Sequence, residues 1–147
     1  MTSNQYFIKY WLPVIFGMCF IFWMSTGTFS SQNTYSFVEP VLRFLVPQIS
    51  SHGVDLIHAL MRKSAHIIEY FILGLLLFRA FRRGSTPPWN WRWSFFAVGV
   101  VVLWAASDEF HQSFVSTRTA SVMDVGIDAA GGIIAQFVSA LWHRYRK

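Results

Sequence analysis

The chain has 147 residues, enough for one domain, with 54% apolar and 18% aromatic residues but only 13% charged ones. That charged fraction is about half of what a soluble domain carries, and the apolar residues fall in blocks long enough to cross a bilayer, which excludes an ordinary water-soluble globular protein. The net charge of +5 implies no nucleic-acid partner, because the basic residues sit at the ends of apolar runs and build no basic surface interleaved with aromatics. Cys19 is the single cysteine and lies inside the first apolar run, which leaves no intrachain disulfide and no cysteine metal motif.

Four hydrophobic segments follow in order: Tyr6 to Met24, Ala65 to Phe81, Trp93 to Ala106, and Val122 to Trp142. The first is read as an uncleaved helix rather than a signal peptide, since its aromatic-rich span is long for an h-region, contains Pro13 and Trp23, and ends without a small-x-small cleavage pattern. Between the first two segments, Ser25 to Ser51 reads as a polar loop with a brief interfacial helix, on which Phe37, Val41, Phe44 and Leu45 take helical spacing, with Pro40 and Pro47 as its punctuation. Val54 to Phe81 reads as one helix of roughly 42 Å, longer than the hydrocarbon core of about 30 Å, so its first turns should project into the interface. The third segment borrows Trp89, Trp91 and Trp93 as an interfacial belt. The fourth carries Asp124 and Asp128 in its first turns, then Gly126, Ala129, Ala130, Gly131, Gly132 and Ala135, small residues that let membrane helices approach closely. The expected fold is all-α, an integral membrane four-helix bundle with a short interfacial helix in the first outer loop, forming one domain over 1–147 with a motif-bearing core at 62–142.

Arg79, Arg82, Arg83 and Arg92 flank the second connection, and Arg144, Arg146 and Lys147 follow the fourth span. The positive-inside rule puts both groups, and both termini, in the cytoplasm. All seven carboxylates (Glu39, Asp55, Glu69, Asp108, Glu109, Asp124 and Asp128) then fall to the outer side.

Ionisable residues in or beside a span mark a functional site by default. Lys63, His66 and Tyr70 share one face of a helix, with Glu69 beside them, and His66 and Glu69 lie roughly 4.5 Å and 9 Å deeper than Lys63. Lys63 taken alone reads as a snorkelling side chain. Asp108 and His111 form one i, i+3 pair and Glu109 and Gln112 another, while Asp124 and Asp128 stand one turn apart at the start of the fourth span. Asp124 has a purely structural reading as a cap or first-turn acid. Asp128 lies deeper and needs a cation, for which Arg118, Lys63 or a bound metal are the candidates. His66, Asp108, His111, Asp124 and Asp128 include ligand types for a divalent metal, hard or zinc-like, yet the spacing matches no metal motif and an ion-pair network with Arg118 explains the same residues. His52, His58 and His143 read as surface or interfacial residues.

Lys63-Ser-Ala-His66-Ile-Ile-Glu69-Tyr70, then Asp108-Glu109-Phe-His111-Gln112, then Arg118, and Asp124-Val-Gly-Ile-Asp128-Ala-Ala-Gly131 together resemble the VanZ-like family of small bacterial membrane proteins. The resemblance runs from about Arg62 to the end of the fourth span. Members often have Pro-Gly before the arginine, where this chain has Ser116-Thr117. The family is named for a protein conferring low-level resistance to the glycopeptide teicoplanin. The resemblance therefore implies a multi-pass protein of the bacterial cytoplasmic membrane and a cell-envelope context, and it brings no reaction with it.

Two functions compete on this reading. In the first, a membrane module binds an extracytoplasmic envelope ligand (a lipid headgroup, wall precursor or glycopeptide) and contributes to glycopeptide tolerance, with Lys63, His66, Asp108, Gln112, Arg118, Asp124 and Asp128 lining the site. In the second, a hydrolase or transferase, metal-dependent or not, acts on a lipid-linked envelope substrate, with catalytic candidates His66, Glu69, Asp108, Glu109 and His111. Binding ranks first because no nucleophile is paired to a base in the sequence. Membrane lipids are partners on either reading, and the sequence sets no oligomeric state.

Overall fold

The computed structural model describes residues 2–83, 85, 89–116 and 120–145, so Thr117, Arg118, Arg146 and Lys147 lie outside the described residues. The described chain is helical without strands: α1 (Ser3–Met24), α2 (Ser31–Leu45), α3 (Ser51–Arg82), α4 (Trp91–Gln112) and α5 (Val122–Tyr145), with a 3-10 turn at Gly27–Phe29. Helices α1, α3, α4 and α5 are each long and apolar enough to cross a membrane.

The spans run further than hydropathy alone predicts because polar caps start them. Ser50 Oγ accepts the Gly53 N–H at 3.1 Å, so α3 begins at Ser51 and its 32 residues reach about 48 Å. Asn90 Oδ1 accepts the Arg92 N–H at 2.9 Å to open α4. At α5, Ser121 Oγ accepts the Met123 N–H at 3.1 Å, which makes Ser121 the cap and leaves Asp124 as a first-turn acid.

Pro13 explains the start of α1. A proline has no N–H to give the carbonyl four residues back, here that of Lys9. The helix widens into a π-turn over Phe7–Trp11, and the guanidinium of Arg79 on α3 donates to the Lys9 oxygen at 3.2 Å. Nearby, the Arg82 guanidinium donates to His143 Nε2 at 3.2 Å while His143 Nδ1 donates to the Ser139 carbonyl at 2.7 Å. These bonds tie α1, α3 and α5 together at one basic end of the bundle. His143 is thus an interhelical contact and not the surface residue expected.

Small residues set the closest helix crossing, between α3 and α5. A Cβ on Gly131 would stand 2.5 Å from the Ile67 carbonyl oxygen, and one on Gly74 would stand 2.9 Å from Ala135 Cβ. Gln136 fills the seam, donating to the carbonyls of Gly74 at 3.1 Å and Gly132 at 3.3 Å. Gly126 takes no part, for nothing lies within 4 Å of where its Cβ would be. The close-packing expectation therefore holds for Gly131, Gly132 and Ala135.

Helix α2 differs from expectation in length. It starts at Ser31, capped by Ser30 Oγ, and it runs through Pro40 instead of starting there. The carbonyl freed by Pro40 lies in an exposed helix where water can satisfy it, so the break that proline causes in a buried helix is avoided. Phe37, Val41, Phe44 and Leu45 remain exposed along one stripe, the pattern of a helix lying in the interface. The other side docks on α3: His58, only 5% exposed, meets Thr34 Oγ1 at 2.9 Å and packs edge-on against Tyr35. His58 is accordingly buried, because α2 folds back over it. Thr34→Val is expected to loosen this docking by about 1 to 3 kcal/mol, since it strands a buried ring nitrogen. Hydrogen exchange over Ser31–Leu45 should quicken while the four spans keep their protection; unchanged exchange would show that the Thr34–His58 contact does not hold α2.

Candidate functional site

The polar residues converge at the end of the bundle opposite Arg79 and Arg82. Along α4, the stripe that buries Ala97, Val101 and Ala105 continues through Asp108, Glu109 and Gln112, so the packing surface that is apolar in mid-bundle turns polar at this end. Asp108 is 2% exposed and Asp128 is fully buried. Such groups survive in a membrane protein only with partners.

His66 on α3 and Asp128 on α5 form one pair, with Nδ1 and Oδ1 3.1 Å apart. With Asp128 ionised, Nδ1 carries the hydrogen and the imidazole is held with Nε2 free for other contacts. The pair exists because Gly131, one turn past Asp128, brings α5 against the Ile67 backbone, one residue past His66. A second network joins α1 to α4: Ser25 Oγ donates to Asp108 Oδ2 at 2.6 Å, and Gln112 Nε2 donates to Ser25 Oγ at 2.6 Å, to Asp108 Oδ2 at 3.1 Å and to Glu109 Oε1 at 3.4 Å. Glu109 Oε2 accepts the Ser121 N–H at 2.7 Å, which fixes the start of α5 against the end of α4.

Two clefts open on these networks. One is lined by Ile21 and Met24 of α1, Ser25 just past its end, Phe29, Thr34, then Arg62, Ala65, His66 and Glu69 of α3, and Asp108. The other is lined by Ala59, Arg62, Lys63 and His66 together with Asp124, Ile127 and Asp128 of α5. Arg62 and His66 belong to both and form the wall between them. Asp108 Oδ1, Asp128 Oδ2 and the Tyr70 hydroxyl are buried with no hydrogen-bond partner among the described residues. Tyr70 lies within electrostatic reach of both aspartates. Natively buried polar atoms are nearly always paired, and in a membrane protein they face protein, water or a ligand.

The residues singled out in the sequence therefore divide. His66, Glu69, Asp108, Asp124, Asp128 and the exposed Lys63 line the clefts, and Gln112 and Glu109 brace them from below. His111 turns instead toward α1, its ring 4.4 Å from that of Phe22. Among the described residues no three His, Cys, Asp or Glu side chains are grouped as a metal-ligand set, so the metal reading finds no cage here. Arg118 lies outside the described residues; among those described, His66 partners Asp128, and Arg62 lies within electrostatic reach of Asp124 and is bonded to the Phe29 carbonyl at 3.5 Å. Arg62 and Ser25 were not singled out. Arg62 carried a signal, since it stands one turn before His66 on the same face; Ser25, a serine at the end of an apolar run, carried none.

No curated protein and no solved structure matches the chain. A family model described as VanZ/LLP1 matches residues 10–143, nearly the whole chain, including all of α3 and α4, most of α1 and α5, and every residue that lines the two clefts. The chain is a multi-pass membrane protein that belongs to the VanZ/LLP1 family.

Proposed function

We propose that the protein binds the polar headgroup of a cell-envelope molecule on the extracytoplasmic side of the bacterial cytoplasmic membrane. One observation carries this reading: Arg62 and His66 line both clefts, together with Asp108 in one and Asp128 in the other, each of which has a carboxyl oxygen without a donor among the described residues. Guanidinium, ammonium and imidazolium groups grip a phosphate or carboxylate, while Asp108 and Asp128 accept hydrogen bonds from hydroxyl or ammonium groups of the same ligand. A headgroup pairing an anion with such donors answers both halves of the site. Binding of this kind accounts for a contribution to glycopeptide tolerance, because a glycopeptide and the wall precursors it targets are met on that face.

The outward orientation rests on Arg79, Arg82, Arg83, Arg92 and Arg144 at the opposite end. Ser113→Cys should react with a membrane-impermeant maleimide in intact cells, and Ser85→Cys only after permeabilisation. The reverse pattern would place the site in the cytoplasm and end the envelope reading.

The His66–Asp128 pair supports a second reading, a hydrolase or transferase in which Asp128 orients His66 as general base toward a water or hydroxyl of the bound headgroup. Ser25 gives its hydroxyl hydrogen to Asp108 and not to His66, so His66 is not paired to it. Turnover of a lipid-linked substrate that His66→Ala removes while Arg62→Ala only weakens would favour the enzyme; binding without turnover leaves the first reading.

A further inference from the structure

The first cleft has an apolar side wall, made by Ile21, Met24, Phe29 and Ala65, as well as its polar floor. Ala65 has a second property. Met61, Ile68 and Ile72 are each about half exposed and fall with Ala65 at i, i+4, i+7 and i+11, so the four make the lipid-facing stripe of α3. Ala65 is the small residue in that stripe and also part of the cleft wall. On the facing helix, Gly17 closes the seam, with Leu76 Cδ1 3.4 Å and Leu73 Cδ1 4.0 Å from where its Cβ would be. Toward the polar end, Met24 and Ala65 leave the same seam open onto the cleft. Counting about 20 residues, or about 30 Å, back from Arg79 sets the outer edge of the hydrocarbon near Ala59, so Ala65 lies at acyl-chain depth.

We propose that the gap between α1 and α3 at Ala65 is a lateral portal, through which a phospholipid-like amphiphile places its headgroup against Arg62 and His66 while its acyl chains stay in the bilayer. This rests on the headgroup-binding reading and narrows it to a ligand that arrives from the membrane rather than from water. The chemistry of the wall decides between the two sources. A water-borne headgroup gains nothing from Ile21, Met24 and Phe29, whereas an acyl or prenyl chain leaving the headgroup must pass along just such a surface. Helix α2 adds Thr34 to the wall of the same cleft beside Phe29 of the 3-10 turn, and its exposed Phe37 and Phe44 fit a helix laid on the interface.

Two probes separate the sources: dioleoyl phosphatidylglycerol, and its deacylated headgroup glycerophosphoglycerol, each titrated against delipidated full-length protein in detergent and followed by native mass spectrometry. The lipid should bind at least about 100-fold more tightly than the headgroup. Ala65→Trp, which plugs the portal from an exposed position, should weaken the lipid by about tenfold or more and the headgroup much less, so that the advantage of the lipid over its headgroup shrinks, whereas Arg62→Ala should weaken both by about tenfold and keep that advantage. Equal affinity for the two probes, or lipid affinity unchanged in Ala65→Trp, would overturn the portal while leaving headgroup binding in place. Failure of both probes to bind, or binding indifferent to Arg62→Ala, would overturn the headgroup reading itself. Should Ala65→Trp fail to fold, Ala65→Cys carrying a bimane label answers the same question in vesicles. Quenching by lipids with a nitroxide on the acyl chain is expected, and quenching by aqueous iodide alone would close the portal.

Discussion

Asp128→Ala is expected to remove about 3 to 5 kcal/mol of stability, a loss large enough to empty the membrane of folded protein. Asp128 is fully buried and bonded to His66 at 3.1 Å, so truncating it leaves an imidazole without its acceptor beside a cavity in the α3–α5 seam. Asp128→Asn should behave otherwise. The amide keeps the shape and an oxygen acceptor for Nδ1, and it removes only the charge, so the protein level should stay within about twofold of wild type while ligand binding falls. Quantitative blotting of membrane fractions, with thermal melting in detergent, separates the outcomes. A normal melting curve for Asp128→Ala would mean that the His66–Asp128 pair contributes little to holding the bundle together.

The second large effect is expected at Gly131. A methyl group there would stand 2.5 Å from the Ile67 carbonyl oxygen, a backbone atom that no rotamer change can move aside. Gly131→Ala should therefore push α5 off α3 and cost about 3 kcal/mol, at the upper end of what overpacking usually does. Because the same approach sets the His66–Asp128 distance, ligand binding should fail along with stability. Gly126→Ala is the matched control: nothing lies within 4 Å of the new methyl group, and replacing glycine in a helix gains up to about 1 kcal/mol. Equal melting temperatures for the two variants would contradict the crossing described for α3 and α5.

How far the sequence could be read follows from what each signal reports. Hydropathy located the four spans because the cost of exposing polar groups to lipid dominates there, and the basic clusters foretold which helix ends lie together, as the Arg79–Lys9 and Arg82–His143 bonds show. The cost of burying a charge likewise marked His66 and Asp128 as residues in need of partners, although the partners expected for Asp128 were Arg118, Lys63 or a metal and the structure pairs it with His66. Contacts set by chain folding were not legible. His58 looked interfacial until α2 folded over it, and Pro40 looked like a boundary although α2 runs through it. Arg62 was not legible as a site residue, since an arginine near a span end is most simply an interfacial charge, and the fold places it in the lining of both clefts.

The central claim is that the charged residues at this end of the bundle hold a ligand and are not there only to hold the helices. It is tested most directly on the double variant Arg62→Ala, Asp128→Asn, purified in parallel with wild type and examined for co-purifying headgroup-bearing molecules by native mass spectrometry, with melting curves taken on the same samples. Wild type should carry a bound molecule that the double variant loses, with the two melting temperatures close once the wild type has been stripped of it. The same bound species on both proteins, or no bound species on either together with a collapsed melting temperature in the variant, would show the cluster to be structural.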